Sequence, residues 1–183
     1  MISYSPTIRI LIIAFIVIAS CILASPVQAA EQDSAQVSAL LLQSRLEAIR
    51  LREDASQMQN FVFNPVTWVT HAVYGNMVAE DVIAMREKVD QLDKMRALGS
   101  DWQKTTIDQI NPLVGELATT TNRVIETMKE QPFDRTQYND YLKENYDCSK
   151  HLAALISESV SYGKTKTRLE RIAGKLHYDQ QRN

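Results

Sequence analysis

The stretch IDQINPLVGELATTTNRVIETM (residues 107–128) decides the fold, because apolar side chains recur in it at alternating steps of three and four. Its periodic positions are Ile107, Ile110, Val114, Leu117, Thr121, Val124 and Met128. This spacing puts them on one side of an α-helix and leaves the other side polar. Pro112 lies inside the pattern, and since the spacing continues across it, we predict a kinked helix and not an interrupted one.

The same spacing returns in three other segments, at residues 37–62, 71–92 and 138–162. Leu42 and Leu46 are predicted to widen the first apolar stripe. Four amphipathic helices with short connections are expected to pack as antiparallel neighbours along the chain. The sequence therefore predicts an all-α fold, an up-down-up-down antiparallel four-helix bundle over residues 31–163.

Helix ends are marked by capping residues. Asn64 followed by Pro65 predicts the start of the second helix, and Gly99 predicts its end. Ser100 with Gln103 has the spacing of a capping box for the third helix, which is expected to end at the Gln131–Pro132 pair.

Aromatic residues gather around the same connections. Asp134 with Gln137 predicts the cap of the fourth helix. Phe63 is expected to pack on Trp68, and Phe133 on Tyr138, as hydrophobic staples at one end of the bundle.

The first thirty residues carry the features of a secretory signal peptide. A continuous apolar run at residues 10–24 precedes small residues, with cleavage predicted after Ala29 or Ala30. Ile18-Ala19-Ser20-Cys21 supports an alternative, a lipoprotein anchored through Cys21. The protein is therefore predicted to be exported, either periplasmic or secreted, with no transmembrane segment after the signal. One cysteine, Cys148, remains after cleavage, so no intrachain disulfide is expected.

Residues 164–183 differ from the bundle in charge. They carry a net charge of +4, whereas residues 31–163 carry −7. Their apolar positions Leu169, Ile172, Ala173 and Leu176 recur at helical spacing, so the segment either extends the fourth helix past Gly163 or folds back. A basic amphipathic segment favours docking on an anionic surface or an acidic partner, which its own bundle could also supply.

No catalytic or metal-binding motif is present. The three histidines belong to no H-E-x-x-H, E-x-x-H or C-x-x-C-H pattern. Cys148 and His151 share a helix face but would supply two ligands where a metal needs about four. We interpret them as a buried thiol beside a surface imidazole. The prediction is a protein that is not an enzyme and has no cofactor.

Polar or small residues interrupt the apolar stripes near the aromatic end. Counting residues along the helices places Gly75, Thr121 and Asn145 at one level, about one turn beyond His71. One interpretation is structural, with His71 bonded to a tyrosine hydroxyl and Asn145 bonded to Thr121. The alternatives are a small-molecule pocket and an axial His71/Met58 haem site. The pocket would be lined by Met58, His71, Gly75, Thr121, Tyr141 and Asn145.

The leading functional hypothesis is an exported, non-enzymatic bundle that binds another macromolecule, either a protein or an anionic envelope surface. The predicted contacts are the basic segment and the aromatic end, that is Lys164, Lys166, Arg168, Arg171, Lys175, Phe63 and Trp68. Nucleic acid is not expected as a partner, because the protein is exported and its bundle is acidic. Exposed apolar stripes leave a homodimer open.

Overall fold

The computed structural model describes residues 33–63, 66–130 and 133–182. The predicted signal peptide, with Cys21 and both candidate cleavage sites, lies outside the described residues, as do the Asn64–Pro65 and Gln131–Pro132 pairs. Contacts divide the chain into two units, Met1–Gln32 and Asp33–Asn183.

Four helices make up the second unit: α1 (Ala35–Asn60), α2 (Trp68–Met95), α3 (Asp101–Thr127) and α4 (Arg135–Arg182), with a short 3₁₀ turn at Arg96–Leu98. Neighbouring helices run antiparallel, since residues that come later on one helix contact residues that come earlier on the next. Lys88 bonds to Gln43 while Arg50 pairs with Asp81, and α4 meets α1 with the same polarity. Each helix packs on its neighbours in sequence, and α1 also packs on α4. The predicted all-α four-helix bundle is confirmed.

The predicted apolar stripes of α1, α2 and α3 form the core. Their buried members include Leu41, Leu51, Met85, Leu92, Ile107, Ile110 and Leu117. Leu42 and Leu46 were expected to widen the first stripe, but they are 41% and 65% exposed. They lie on the outer flank of α1, because α1 turns Leu40, Leu41 and Ser44 inward.

In α4 the predicted stripe departs from the core along the helix. Tyr138, Asn145 and Cys148 are buried as predicted, but Tyr162 is 55% exposed and Val160 is buried near it instead. Alternating steps of three and four average 3.5 residues, whereas a straight helix has 3.6 residues per turn. A strict stripe therefore rotates out of the core by about 20° per heptad.

The helix caps agree with the prediction in part. Gln103 Oε1 accepts the Ser100 backbone N–H at 2.9 Å, and Asp134 Oδ1 accepts the backbone N–H groups of Thr136 and Gln137. The predicted start of α2 at Asn64 is wrong, because Thr67 is its N-cap. Likewise α3 ends at Thr127, before the predicted Gln131–Pro132 stop.

The helix α3 continues through Pro112, whose ring lies on the exposed side. Asn111, Pro112 and Gly115 all face solvent, so the missing backbone donor is not buried. The predicted helix is therefore uninterrupted at this point.

The 48 residues of α4 span about 72 Å, against about 40 Å for the other helices. The helix runs without a break through Gly163, so the basic segment extends α4 and does not fold back. Every side chain from residue 167 to 182 is exposed. We call residues 168–182 the arm. In the described ranges, no helix combines the length and the apolarity needed to cross a bilayer.

Candidate binding surfaces

The root of the arm is tied to the start of the bundle by one carboxylate. Asp33 Oδ1 accepts hydrogen bonds from Ser100 Oγ at 2.7 Å, Trp102 Nε1 at 2.7 Å and Lys166 Nζ at 2.6 Å. We call these four residues the Asp33 cluster. Burial alone would raise the pKa of Asp33, but the hydrogen bonds from Lys166, Ser100 and Trp102 outweigh it and lower that pKa.

The Asp33 cluster changes the role of one predicted partner residue. The Lys166 ammonium group contacts Asp33, and it also lies 3.5 Å from Glu170 one turn along α4. Its side chain is only 24% exposed. Lys166 therefore serves to hold α4 against the first described turn of the chain, which matches the alternative that this segment docks on its own bundle.

Gly163 lets α4 and α3 approach closely at this end. A Cβ atom on Gly163 would lie 2.8 Å from the Trp102 ring, too near for any real contact. The indole is also held by its hydrogen bond to Asp33, and it makes an edge-to-face contact with the Tyr162 ring, 5.5 Å away between centroids. Glycine is therefore required here for packing, which is a different reason from the helix end or bend suggested by the sequence.

Beyond this point the arm is amphipathic. Leu169, Ile172 and Leu176 lie on one side, and they are 61%, 45% and 60% exposed. Nine residues separate Leu169 from the buried Val160, which puts the two on opposite sides of α4. We call this set, with Ala173, the apolar stripe of the arm.

A basic stripe runs beside the apolar one. Lys164, Arg168, Arg171 and Lys175 follow steps of four, three and four, so they share one side of α4. None of them forms an ion pair with the described residues. Four of the five predicted basic contacts are therefore free to meet an anionic partner. The fifth, Lys166, is already paired with Asp33.

A groove of about 420 Å³ opens where the arm leaves the bundle. Its apolar part comes from α1 and α4 and from the indole of Trp102, and its rim is basic. We call it the root groove. It is lined by Ser38, Ala39, Leu41, Leu42, Trp102, Val160, Gly163, Lys164, Thr167, Arg168 and Arg171.

The opposite end of the bundle holds the aromatic cluster. His71 Nδ1 and the Tyr138 hydroxyl are 2.8 Å apart, which is the hydrogen bond expected from the structural interpretation. Burial, with a smaller effect of the Arg135 charge, lowers the pKa of His71, so its neutral form is favoured. The rings of Phe61 and Trp68 contact that of His71.

The predicted staples of this end have different outcomes. Phe133 contacts Tyr138 at 5.3 Å between ring centroids, as expected. Trp68 also packs on Phe133, at 4.9 Å, whereas Phe63 is 77% exposed and its ring contacts no described aromatic ring. A cleft of about 310 Å³ opens beside His71 and Trp68.

The predicted polar layer divides into two. Asn145 Nδ2 donates to Thr121 Oγ1 at 2.7 Å, with a longer contact to Thr120, and these groups are buried. Gly75 instead faces Met58 and Met128, whose atoms would lie within 3.7 Å of an added Cβ. Because Met128 is two turns beyond Thr121 on α3, Gly75 lies about 10 Å from the Asn145 contact.

Tyr141 belongs to neither layer. It is half-buried at the surface of α4, where its hydroxyl accepts from Gln137 and its ring lies under the Arg123 guanidinium. The six predicted ligand residues are thus spread over four places: the aromatic cluster, the methionine contact of Gly75, the Asn145–Thr121 hydrogen bond and the surface site of Tyr141. Ligand binding by this set stays a prediction.

Cys148 is buried and His151 is exposed, as interpreted from the sequence. Burial, with the nearby charges of Glu116 and Glu144, raises the pKa of the Cys148 thiol to about 12. A thiol with that pKa is not a nucleophile at neutral pH. Within the described ranges, no three histidine, cysteine or acidic side chains are placed to hold a metal ion.

Asp81 was missed by the sequence analysis. Its side chain is 3% exposed in α2, and its Oδ1 lies 3.1 Å from Arg50 Nε. Its other oxygen, Oδ2, has no hydrogen-bond partner among the described residues. Burial, together with the neighbouring Asp54 carboxylate, raises the pKa of Asp81 to about 7. The sequence feature that could have identified Asp81 as buried is its position on the same helix face as Val78 and Val82, which belong to the predicted apolar stripe.

Comparison of the chain with protein-family models, with curated proteins and with solved structures gives no match.

Proposed function

We propose that the protein is a non-enzymatic envelope protein that docks on an anionic phospholipid surface through its arm. The observation that supports this proposal is the continuation of α4 past the bundle as an exposed helix with adjacent apolar and basic stripes. Helices of this kind lie in the plane of a membrane interface, with the apolar side inserted and the cations at the headgroups.

The magnitudes are sufficient for reversible binding. Each Lys or Arg near an anionic leaflet contributes about 1 kcal/mol, and the arm together with Lys164 holds five such groups without a described ion pair. Leu169, Ile172 and Leu176 add burial of apolar surface that is exposed in the free protein. An envelope location depends on the predicted signal peptide, which would bring the chain to such a surface.

A surface partner is favoured over an acidic protein by the length and charge of the arm. An isolated helix of this length is marginal in water, so a flat interface that contacts its whole length would stabilise it. The cations continue along the arm to Arg182, so the positive charge is spread over its length.

Vesicle flotation tests the proposal. The chain 31–183 should float with phosphatidylglycerol vesicles at low salt, dissociate at high salt, and ignore phosphatidylcholine vesicles. Leu176→Gln should weaken flotation at least tenfold, because Leu176 belongs to the apolar stripe.

Tyr178→Gln is the matched control. Tyr178 is as exposed as Leu176, at 62%, but lies on the opposite side of the arm, so this variant should float like the parent protein. Failure to bind phosphatidylglycerol vesicles, or equal loss in both variants, would overturn the docking surface proposed here.

A further inference from the structure

The root groove differs from the arm in having a concave shape. Leu41 and Val160 form its buried floor, and the half-exposed Leu42 and the fixed indole of Trp102 form its walls. Its volume of about 420 Å³ falls in the range of small-ligand sites and is too small for a folded partner element.

The charges of the root groove are all at its rim. Lys164, Arg168 and Arg171 line it without an ion pair to any described carboxylate, while no acidic residue lines it. A second copy of this chain would have to place a folded helix in the groove, whose volume of about 420 Å³ is too small for it. An anionic group is the complementary one, and an arginine pair with a carboxylate is favoured by its fork geometry.

We infer that the root groove binds a single-chain anionic amphiphile, a long-chain fatty acid, with its hydrocarbon chain against Leu41, Leu42 and Trp102 and its carboxylate at Lys164 and Arg168. This goes beyond docking on a surface, because it assigns a monomeric ligand to a separate site. An apolar floor with a few convergent polar groups is the usual construction of such sites.

The rigidity of one wall supports this assignment. Trp102 cannot move toward α4, because Gly163 is already in contact with it, and its Nε1 is bonded to Asp33. The groove is therefore present before a ligand arrives, so binding does not require the site to be opened. The same indole offers a direct optical signal for occupation of the groove.

The experiment titrates dodecanoate, below its micellar concentration, into the chain 31–183 carrying Trp68→Phe, so that Trp102 is the only tryptophan. A saturable change in Trp102 fluorescence is expected, and dodecanol should bind at least tenfold more weakly. Equal affinity for dodecanol would overturn the role of the cations, and no saturable change would overturn the site.

Two pairs of variants locate the site. Leu42→Gln should weaken dodecanoate binding at least tenfold, whereas Leu46→Gln, one turn further along α1 and more exposed, should not. Arg168→Glu should also weaken it, whereas Lys175→Glu on the same stripe, outside the groove, should not. Equal effects within either pair would place the ligand elsewhere.

The vesicle assay separates this inference from the proposed function. Leu42→Gln should still float with phosphatidylglycerol vesicles, and Leu176→Gln should still bind dodecanoate. If each variant lost both activities, the groove and the arm would be one surface and the separate site would be wrong.

Discussion

At the scale of single residues, the ionisation of Asp81 is expected to affect the stability of the bundle. Its carboxylate is buried beside that of Asp54, and only the Arg50 guanidinium, itself 62% exposed, offsets the charge. One proton held between Asp54 and Asp81 would turn two facing acceptors into a hydrogen-bonded pair. The native state therefore favours the protonated form.

The resulting pH dependence has a definite sign. With a native pKa of about 7 and an ordinary value of 3.8, the native state holds more protons than the unfolded state between these limits. The free energy of unfolding should fall as pH rises through this window. Asp81→Asn should therefore raise it at pH 8 by on the order of 2 kcal/mol, with little change at pH 4, as measured by urea denaturation. Asp90→Asn, an exposed position on the same helix, is the control and should change neither value.

Two glycines of α4 should respond oppositely to alanine. Gly163→Ala places a Cβ against the fixed Trp102 ring and should destabilise the bundle by about 1–2 kcal/mol. Gly174→Ala meets no atom within 4 Å, so it should stabilise the arm as a helix and leave the unfolding of the bundle unchanged. Thermal unfolding followed by Trp102 fluorescence in a Trp68→Phe background measures the first effect, and helical circular dichroism measures the second. A neutral Gly163→Ala would contradict the close packing.

At the scale of the elements, α4 has two parts with different roles. Up to Lys166 it is a bundle helix, and beyond Lys166 it contacts no other helix through a buried side chain. A chain that ends at Glu170 should therefore unfold within about 1 °C of the whole protein in calorimetry. A chain that ends at Gly163 should unfold several degrees lower, because the loss of Lys166 leaves Asp33 without its cation, at a cost of about 1 kcal/mol. Equal melting temperatures for the two truncated chains would mean that Lys166 does not stabilise the bundle.

The elements also show which parts of the structure were predictable. The stripes of α1–α3 were predictable, because helical periodicity is a local property of the chain. The start of α4 was predictable for the same reason, from its capping residue Asp134. The far half of the α4 stripe was not, because the side of α4 that faces the core there shifts by one residue, from Tyr162 and Ser159 to Val160 and Ile156.

The candidate sites were less predictable than the helices. Basic residues of the arm were found from composition, but the role of Lys166 depends on Asp33, 133 positions earlier in the chain. The root groove depends on Leu42, which faces outward from α1. The sequence of α1 does not show on which side of this helix α4 packs, so the groove could not be predicted from it. Gly75 was placed in the wrong layer because residue counting across two connections adds the uncertainty of both.

At the scale of the whole molecule, the apolar core of the described bundle includes one buried thiol. Cys148 is 7% exposed and burial raises its pKa to about 12, so it should react only when the bundle opens. Iodoacetamide labelling of the chain 31–183, followed by mass spectrometry across a urea series, should therefore track global unfolding.

Exposed cysteine provides the comparison for that measurement. Ser161→Cys, placed in a Cys148→Ala background, lies on the solvent side of α4 and should label rapidly without urea. Fast labelling of native Cys148 would show that α3 and α4 separate locally, without unfolding of the rest.

The unbroken helix that joins bundle and arm has a mechanical consequence. Gly163 is the position where α4 contacts Trp102, and the arm ends about 28 Å beyond it. If α4 tilted by about 10° at that point, Arg182 would move by about 5 Å, whereas the residues of the Asp33 cluster would move by only a fraction of that distance. Because Gly163 contacts the Trp102 ring, a force applied to the end of the arm would reach the indole through this contact, and the environment of the indole would change.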